Sequence, residues 1–321
     1  MLVLTATDVR ALLTMSQAIE ASREALRLDA NGRCDVPLRT NLAAPEHDGH
    51  VLVMPAAVPD LATVGLKVAA VFPRGVTATV LLLDGATGAV RALLDGTALT
   101  QLRTGALQGA ATDALARTDA RVGALIGTGG QAADQLEAML CVRELEEVRV
   151  AGRDPERTAA FVARMRSTLA DRYGARVLAV ASPAHAVDGA DLITAVTTSR
   201  RPVFDGRLAV AGTHVNGMGA YTPDMQELDG ELMTRADRVV IDTAAALVEA
   251  GDLTVPLATG RLAAPSVVTL GAVLTGTAPG RQRADQLTVF ESVGFAALDV
   301  VTAHRVYLAA LAAGAGRVVD L

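Results

Sequence analysis

A short apolar run, Val122-Gly123-Ala124-Leu125-Ile126, leads directly into Gly127-Thr128-Gly129-Gly130-Gln131-Ala132 and then into a helix-forming segment ending near Val142. Five apolar residues without polar alternation read as a strand buried on both faces. In the loop, the first glycine permits a tight turn and the second lets backbone approach a pyrophosphate. The small residue at the sixth position lets helix and strand pack closely. The helix start adds unpaired N–H groups and a partial positive charge. The spelling alone is weak in a chain with 29 glycines, because an ordinary strand–helix turn can share it. The strand before, the helix after and a second strand at Glu147–Ala151 make it a dinucleotide-binding candidate.

The rhythm continues beyond it. Asp154-Pro155-Glu156 reads as a helix start, with an Asp cap, Pro at the first position and an acid in the first turn. Arg176–Val180, Asp191–Val196, Leu208–Ala211 and Arg238–Asp242 read as further short strands. Strands alternating with helices predict an α/β chain with a Rossmann-type, doubly wound parallel sheet. Before Arg121 the pattern is mixed. Thr7-Asp8 is expected to cap a helix through Leu28. Val51–Met54, Gly65–Val71 and Thr77–Leu83 read as strands, with turn chemistry at Asp84-Gly85 and Thr87-Gly88. Leu99–Ala116 and Ala296–Ala313 read as helices.

Composition narrows the function classes. At 321 residues two domains are expected. Hydrophobic residues make up 51% and aromatics 2%, with no Trp, so the core must be built from Ala, Val and Leu. A net charge of −6 argues against a nucleic-acid partner. Cys34 and Cys141 form no disulfide framework, and the five scattered histidines offer no metal-ligand spacing. A cytoplasmic setting without metal is the expectation. The start of the chain lacks a signal pattern. Leu262–Gly280, uncharged but broken by Pro265, Gly271, Gly276 and Pro279, reads as loop and short buried segments rather than a membrane span.

Cofactor choice is usually written at the end of the second strand. NAD enzymes place an acid there for the ribose 2′-OH, and NADP enzymes tend to place an Arg near the 2′-phosphate. Here the strand ends in Gly152-Arg153-Asp154. Gly152 makes room and Arg153 supplies a cation, which favours NADP(H). Asp154 keeps NAD(H) possible, although it also suits a helix cap.

Three cations stand out in the first part. Lys67 is embedded in the apolar Gly65–Val71 segment. It either lies on a solvated face, the commoner case, or is desolvated, with a lowered pKa suited to proton transfer. Thr97 is a plausible cap for the helix that carries Arg103 and Thr104 in its early turns. Arg103 there suits a carboxylate or phosphate, but spacing alone favours a solvated helix residue. Arg39, after Val36-Pro37, could be any surface cation.

Taken together, several strings resemble the ornithine cyclodeaminase/mu-crystallin family nearly end to end. They are Met54-Pro55 with Lys67, Leu94-Asp95-Gly96 through Leu102-Arg103-Thr104, Gly127 to Gln131, and Ala190-Asp191-Leu192-Ile193. Gly212-Thr213-His214-Val215-Asn216, Glu227-Leu228-Asp229 and Ser292-Val293-Gly294-Phe295-Ala296 complete the set. The resemblance implies a homodimer with a substrate-binding and dimerisation domain from residues 1–116 plus 298–321. It implies a Rossmann domain over 117–297, with the active site in a cleft. By resemblance, Arg39 and Arg103 bind a substrate carboxylate, with Met54 and Val293 also on the substrate, and Lys67 contacts the reacting region. Thr79, Arg103, Thr104, Thr197, Val215, Asn216 and Ser292 would line the cofactor. They would do so beside Gly127, Thr128, Gly129, Gly130, Gln131, Gly152 and Arg153.

The chain departs from ornithine cyclodeaminases where these carry an Asp shortly after the His-x-Asn string. That position is Tyr221 here. A phenol, with a reference pKa of about 10, offers no anion near neutral pH. It could instead donate a proton or hydrogen bond. Glu291 also stands where many relatives have Lys, Gln226 stands in place of Arg before Glu227, and the loop after Phe72-Pro73 looks shorter. The resemblance is therefore nearer to ketimine and imino-acid reductases. It implies reduction of a C=N bond beside a carboxylate, as in Δ1-pyrroline-2-carboxylate or Δ1-piperideine-2-carboxylate, with Lys67 or Tyr221 managing the proton. An ornithine cyclodeaminase-type lyase using bound NAD+, an amino-acid dehydrogenase, and a non-enzymatic ligand-binding protein are the alternatives.

Overall fold

The computed structural model describes residues 1–73 and 75–320. In chain order the elements are β1 (Leu2–Leu4), α1 (Ala6–Leu12), α2 (Met15–Ala30), β2 (Thr40–Ala44), β3 (Gly49–Val58), β4 (Thr63–Phe72), β5 (Gly75–Asp84), β6 (Val90–Asp95) and α3 (Gly96–Leu115). Then come β7 (Val122–Ile126), α4 (Ala132–Val142), β8 (Glu147–Ala151), α5 (Pro155–Met165), α6 (Asp171–Tyr173), β9 (Arg176–Ala179), α7 (Pro183–Val187), β10 (Leu192–Ala195) and β11 (His214–Gly217). The chain continues through α8 (Gly230–Arg235), β12 (Arg238–Ile241), α9 (Ala246–Glu249), α10 (Gly251–Ala258), β13 (Val267–Thr269), α11 (Leu270–Leu274), β14 (Thr288–Glu291), α12 (Ala296–Ala313) and β15 (Arg317–Val318).

By internal contacts the chain divides into Met1–Ala106 with Phe295–Leu321, and Leu107–Gly294. The first division falls inside α3, ten residues before the boundary expected from the sequence, because α3 runs unbroken through that point.

The first unit is a seven-stranded sheet in the order β15-β1-β6-β5-β4-β3-β2, antiparallel except for the β1–β6 pair. Along β4 the burial alternates. Thr63, Gly65, Lys67 and Ala69 point inward, while Val64 and Val68 point outward. Helix α12 packs across β3, β4 and β5 and against α2. Among the described residues it is the one helix long and apolar enough to cross a membrane, yet most of it is buried in this core. The helix expected from Thr7-Asp8 to Leu28 is two helices. Thr5 and Asp8 form one capping box, and Thr14 and Gln17 form another, with Leu13 extended between them. Each box satisfies backbone donors that a continuous helix would have paired internally. Asp8 is the third residue of the helix, closing the box, and not the cap. At α3, Asp95 rather than Thr97 caps the start, accepting from Ala98 N at 2.7 Å. The Thr97 hydroxyl accepts instead from Ala78 N at 3.0 Å.

The second unit is an eight-stranded, all-parallel sheet in the order β13-β12-β14-β11-β10-β7-β8-β9. The strand order reverses at β7, so the neighbouring ends of β7 and β10 form a topological switch point, where ligands bind in such sheets. The expected strand Leu208–Ala211 is absent. Asp205 caps a single 3-10 turn there, and Arg235 takes the carbonyls of Gly206 and Ala209, so the backbone bonds locally rather than in a ladder. The strand lies at His214–Gly217, where polar and apolar residues alternate. His214 and Asn216 are fully buried because they bond to each other at 3.0 Å and to the hydroxyls of Thr288, Thr112 and Thr194. Burial pushes the His214 imidazole down to about 3, so it stays neutral.

Arg143 closes the far end of α3. Its Nη2 donates to the carbonyls of Thr112, Asp113 and Ala116 at 3.0 Å, and its Nε to Arg117 O at 2.8 Å. They lie in and just beyond the last turn of α3, where a helix runs short of backbone donors, although Thr112 O also accepts from Ala116 N at 2.9 Å and Arg117 O from Ala120 N at 3.4 Å. Arg143→Ala would remove this shared buried donor from the end of α3 and should lower unfolding free energy by about 3 kcal/mol. Urea denaturation is the measurement, and a loss below about 1 kcal/mol would refute this role.

Candidate active site

In the first unit the sequence places one lysine on an inward position of β4, one arginine in the second turn of α3 and one aspartate in the first turn of α12. The fold brings the three together. Lys67 Nζ forms an ion pair with Asp299 Oδ2 at 2.8 Å, and Arg103 Nε donates to Asp299 Oδ1 at 2.9 Å. Lys67 is 3% exposed, Arg103 6% and Asp299 0%. Lys67 is thus the desolvated lysine, not the solvated one. Met54 is its cross-strand partner on β3 and Val80 its partner on β5, both buried.

Burial pushes Lys67 down to about 8. Asp299 opposes the shift, while Arg103 and Arg39 add to it. Burial would also push Asp299 up, but Arg103 and Lys67 outweigh it and hold the carboxyl below its usual range. Arg39, half-buried, is therefore near enough to act on Lys67. Two buried cations, Lys67 and Arg103, share one carboxylate, so the pair carries surplus positive charge in a desolvated place. That arrangement suits a small anion. Among the described residues Arg103 gives only its Nε to Asp299, leaving the outer guanidinium edge for a planar carboxylate.

Asp299 was not singled out from the sequence. The available signal was a single acid inside an otherwise apolar helix start, Ala296-Ala297-Leu298-Asp299-Val300-Val301. Thr104 lies on α3 one residue beyond Arg103 and donates to Thr100 O at 2.6 Å. Thr79 is paired with Val68 and stands on the exposed face of the sheet, opposite to Lys67, so it does not join this cluster.

In the second unit the glycine loop has the geometry that a dinucleotide needs. Gly127 has φ +111°, and a Cβ there would lie 2.4 Å from Val196 O, so the turn from β7 admits only glycine. A Cβ on Gly129 would meet nothing within 4 Å, leaving open space above the backbone. Thr128, Gly130 and Gln131 complete the approach to α4. Ala132 is fully buried, as the close helix–strand packing requires. At the end of β8, a Cβ on Gly152 would collide with Thr158 Oγ1 at 2.5 Å, so no side chain, and no acid, fits there. Arg153 is exposed, and Asp154 caps α5 by accepting from Arg157 N at 3.1 Å.

Thr197 follows β10 and adjoins this loop, its methyl 3.1 Å from a Gly127 Cβ position. Val215 and Asn216 have no exposed surface. Val215 belongs to the apolar core and Asn216 to the network around His214, so neither side chain offers itself to a dinucleotide. Ser292 Oγ donates to Asp242 Oδ2 at 2.7 Å, which fixes the turn leading to Gly294. Val293 and the half-buried Tyr221 pack against the unit's core.

Comparison with known proteins agrees with this geometry. The chain is 35% identical to a Δ1-pyrroline-2-carboxylate reductase of Bacillus cereus, with 100% of both chains aligned. Its structure is similar to that of Thermococcus litoralis Δ1-pyrroline-2-carboxylate reductase in complex with NADH and L-proline. The TM-score is 0.94 and the identity 34%, covering 99% of this chain and 100% of that one. It is also similar to an archaeal alanine dehydrogenase dimer with bound NAD, with a TM-score of 0.91 and 32% identity over 99% and 98% of the two chains. The sequence profile of the ornithine cyclodeaminase/mu-crystallin family matches residues 1–314, and the chain belongs to that family.

Proposed function

We propose that the protein reduces a small cyclic imino acid, with its C=N bond beside a carboxylate, to the L-amino acid at the expense of NAD(P)H. Δ1-Pyrroline-2-carboxylate and Δ1-piperideine-2-carboxylate are the substrates that fit best. The observation that carries this reading is the buried set of Lys67, Arg103 and Asp299, with Arg39 close by. The nicotinamide, when bound, supplies the hydride. Arg103 and Arg39 bind and orient the substrate carboxylate. Asp299 fixes the heads of Lys67 and Arg103, so that neither must reorganise when substrate arrives. Lys67 supplies the proton that the imine nitrogen needs as hydride reaches the carbon.

A cyclodeaminase is disfavoured because Tyr221 occupies the place of the acid that handles a side-chain amine. A purified sample should oxidise NADPH with the cyclic imino acids and release no ammonia from ornithine. Ammonia from ornithine without net cofactor change would overturn the reading, and turnover of pyruvate with ammonia would redirect it to an amino-acid dehydrogenase. NADPH is preferred over NADH in this reading, because Gly152 excludes a ribose-binding acid, Asp154 is occupied as a cap and Arg153 is exposed. Arg153→Ser should raise KM for NADPH about tenfold and leave that for NADH within twofold.

With Lys67 at about 8, kcat/KM should fall as pH rises through that value, since the donating form is lost. Lys67→Met should lower kcat by roughly 10²–10⁴-fold, whereas Tyr221→Phe should cost far less. An unchanged rate in Lys67→Met would transfer the proton-donor role to Tyr221.

A second copy of the chain is the expected partner. Leu42, Val64 and Val68 share the outward face of the first unit's sheet and are 55%, 38% and 37% exposed. Open apolar faces of this kind mark association surfaces. Light scattering should give twice the 33.0 kDa chain mass, and Val68→Glu should reduce it to a monomer. A monomeric wild type would reject this surface.

A further inference from the structure

Three acids of the second unit, Glu227, Asp252 and Glu291, have no exposed surface. They differ in what their oxygens meet. Asp252 Oδ2 and both Glu291 oxygens have no hydrogen-bond partner among the described residues. Both oxygens of Glu227 are taken by backbone. Oε1 accepts from Thr197 N at 2.5 Å and Oε2 from Gly219 N at 2.6 Å. Thr197 and Gly219 lie just past the ends of β10 and β11, which are neighbouring parallel strands. One side chain thus ties two strand ends together. Its own backbone is fixed in turn, because Asp252 Oδ1 accepts from Glu227 N at 2.7 Å and from Leu228 N at 2.9 Å. Glu227 O also accepts from Val203 N at 2.8 Å.

The tie leaves no slack. A Cβ on Gly219 would collide with Thr197 O and would lie 2.6 Å from Thr197 N and 2.7 Å from Glu227 Oε2. A Cβ on Gly127 would collide with Val196 O and would lie 3.1 Å from the Thr197 methyl. Val196 and Thr197 are therefore held between the glycine loop and the Glu227–Gly219 contact. The strand order β8-β7-β10-β11 says which half of a cofactor this concerns. Gly152 and Arg153, at the ribose-selecting position, follow β8 on one side of β7, and Thr197 follows β10 on the other. With its pyrophosphate on the loop, a dinucleotide directs its adenosine half toward β8 and its nicotinamide half toward β10.

We infer that Glu227 is a positioning residue for the nicotinamide half of the cofactor site, fixing the end of β10 against the glycine loop through the amides of Thr197 and Gly219; this rests on the reading that the loop holds a dinucleotide, and not on the identity of the imino acid. A carboxyl group offers lone pairs at both oxygens whether or not it carries a proton. A carboxamide of the same shape has one accepting oxygen and an NH2 that only donates. Glu227→Gln therefore sets a donor against either Thr197 N or Gly219 N with no change in size.

Calorimetric titration of wild type and Glu227→Gln tests this, with whichever of NADPH and NADH binds more tightly and with its adenosine half alone, adenosine 2′,5′-bisphosphate or AMP. Glu227→Gln should bind the dinucleotide about tenfold more weakly and the adenosine half within about twofold of wild type. A general loss of structure would weaken both. Equal losses for the two ligands, or an unchanged affinity for the dinucleotide, would overturn the inference. Hydrogen exchange of the wild type reads the same bonds without a variant, should Glu227→Gln not fold. Before any cofactor is added, the amides of Thr197 and Gly219 should exchange as slowly as those within β10. Exchange at the rate of an open loop would overturn the inference as well. A wild type that binds neither dinucleotide would overturn the cofactor reading and this inference together. Binding needs no imino acid, so failure of every substrate in the reduction assay would count against the reductase reading alone.

Discussion

Asp299 sets the character of the first unit's site. A fully buried carboxylate is costly unless it is paired, and here it is paired twice. The pairing also works in reverse. Lys67, enclosed by Met54 and Val80, would lose its charge more readily without the anion beside it, and Asp299 offsets part of the burial effect. The lysine is thus left near the middle of the physiological range, where a group can both hold and release a proton. Arg103 reaches the same carboxylate with Nε alone, so its charge is anchored while its outer edge stays open to a ligand. One aspartate therefore fixes two cations without consuming their combined charge.

The second unit solves a different problem, that of holding backbone in place at the ends of parallel strands. Such ends leave amide groups without ladder partners. The carboxyl oxygens of Glu227 take those of Thr197 and Gly219, Asp242 takes that of Gly294, and Asp252 takes those of Glu227 and Leu228. Acids at these places do for loops what capping residues do for helices. Gly127, with its positive φ and its approach to Val196 O, belongs to the same edge.

The legibility of the sequence follows from how local each determinant is. The strands Val122–Ile126 and Glu147–Ala151 and the start of α5 at Asp154-Pro155 were readable to the residue, because buried strands and caps are specified within a few positions. The break between α1 and α2 was missed although Thr14 and Gln17 spell a capping box, since the apolar spacing runs on across it. His214–Gly217 was missed as a strand because its polar residues are paired by Thr112, Thr194 and Thr288, none of them near in sequence. Lys67 and Arg103 were visible as candidates, but spacing could not tell a solvated cation from a buried one. The deciding group, Asp299, lies 196 residues beyond Arg103. Val215 and Asn216 stood in a string characteristic of the family, yet their side chains serve the core.

The two buried acid sites also show why residue type alone is a poor guide to charge. Asp299 and Glu291 lie only eight positions apart, and both are fully buried. Desolvation pushes each toward the neutral form. For Asp299 two cations within 3 Å reverse that push, and the group is an anion. For Glu291 the strongest neighbours are other acids, so each adds to the push and the group keeps its proton. An anion is needed where cations must be held ready for a carboxylate. A neutral acid is what an interior already crowded with carboxyl groups and without a cation admits. The positions that packing and register assign to these residues, rather than their chemistry in isolation, determine which of the two roles each carboxyl fills.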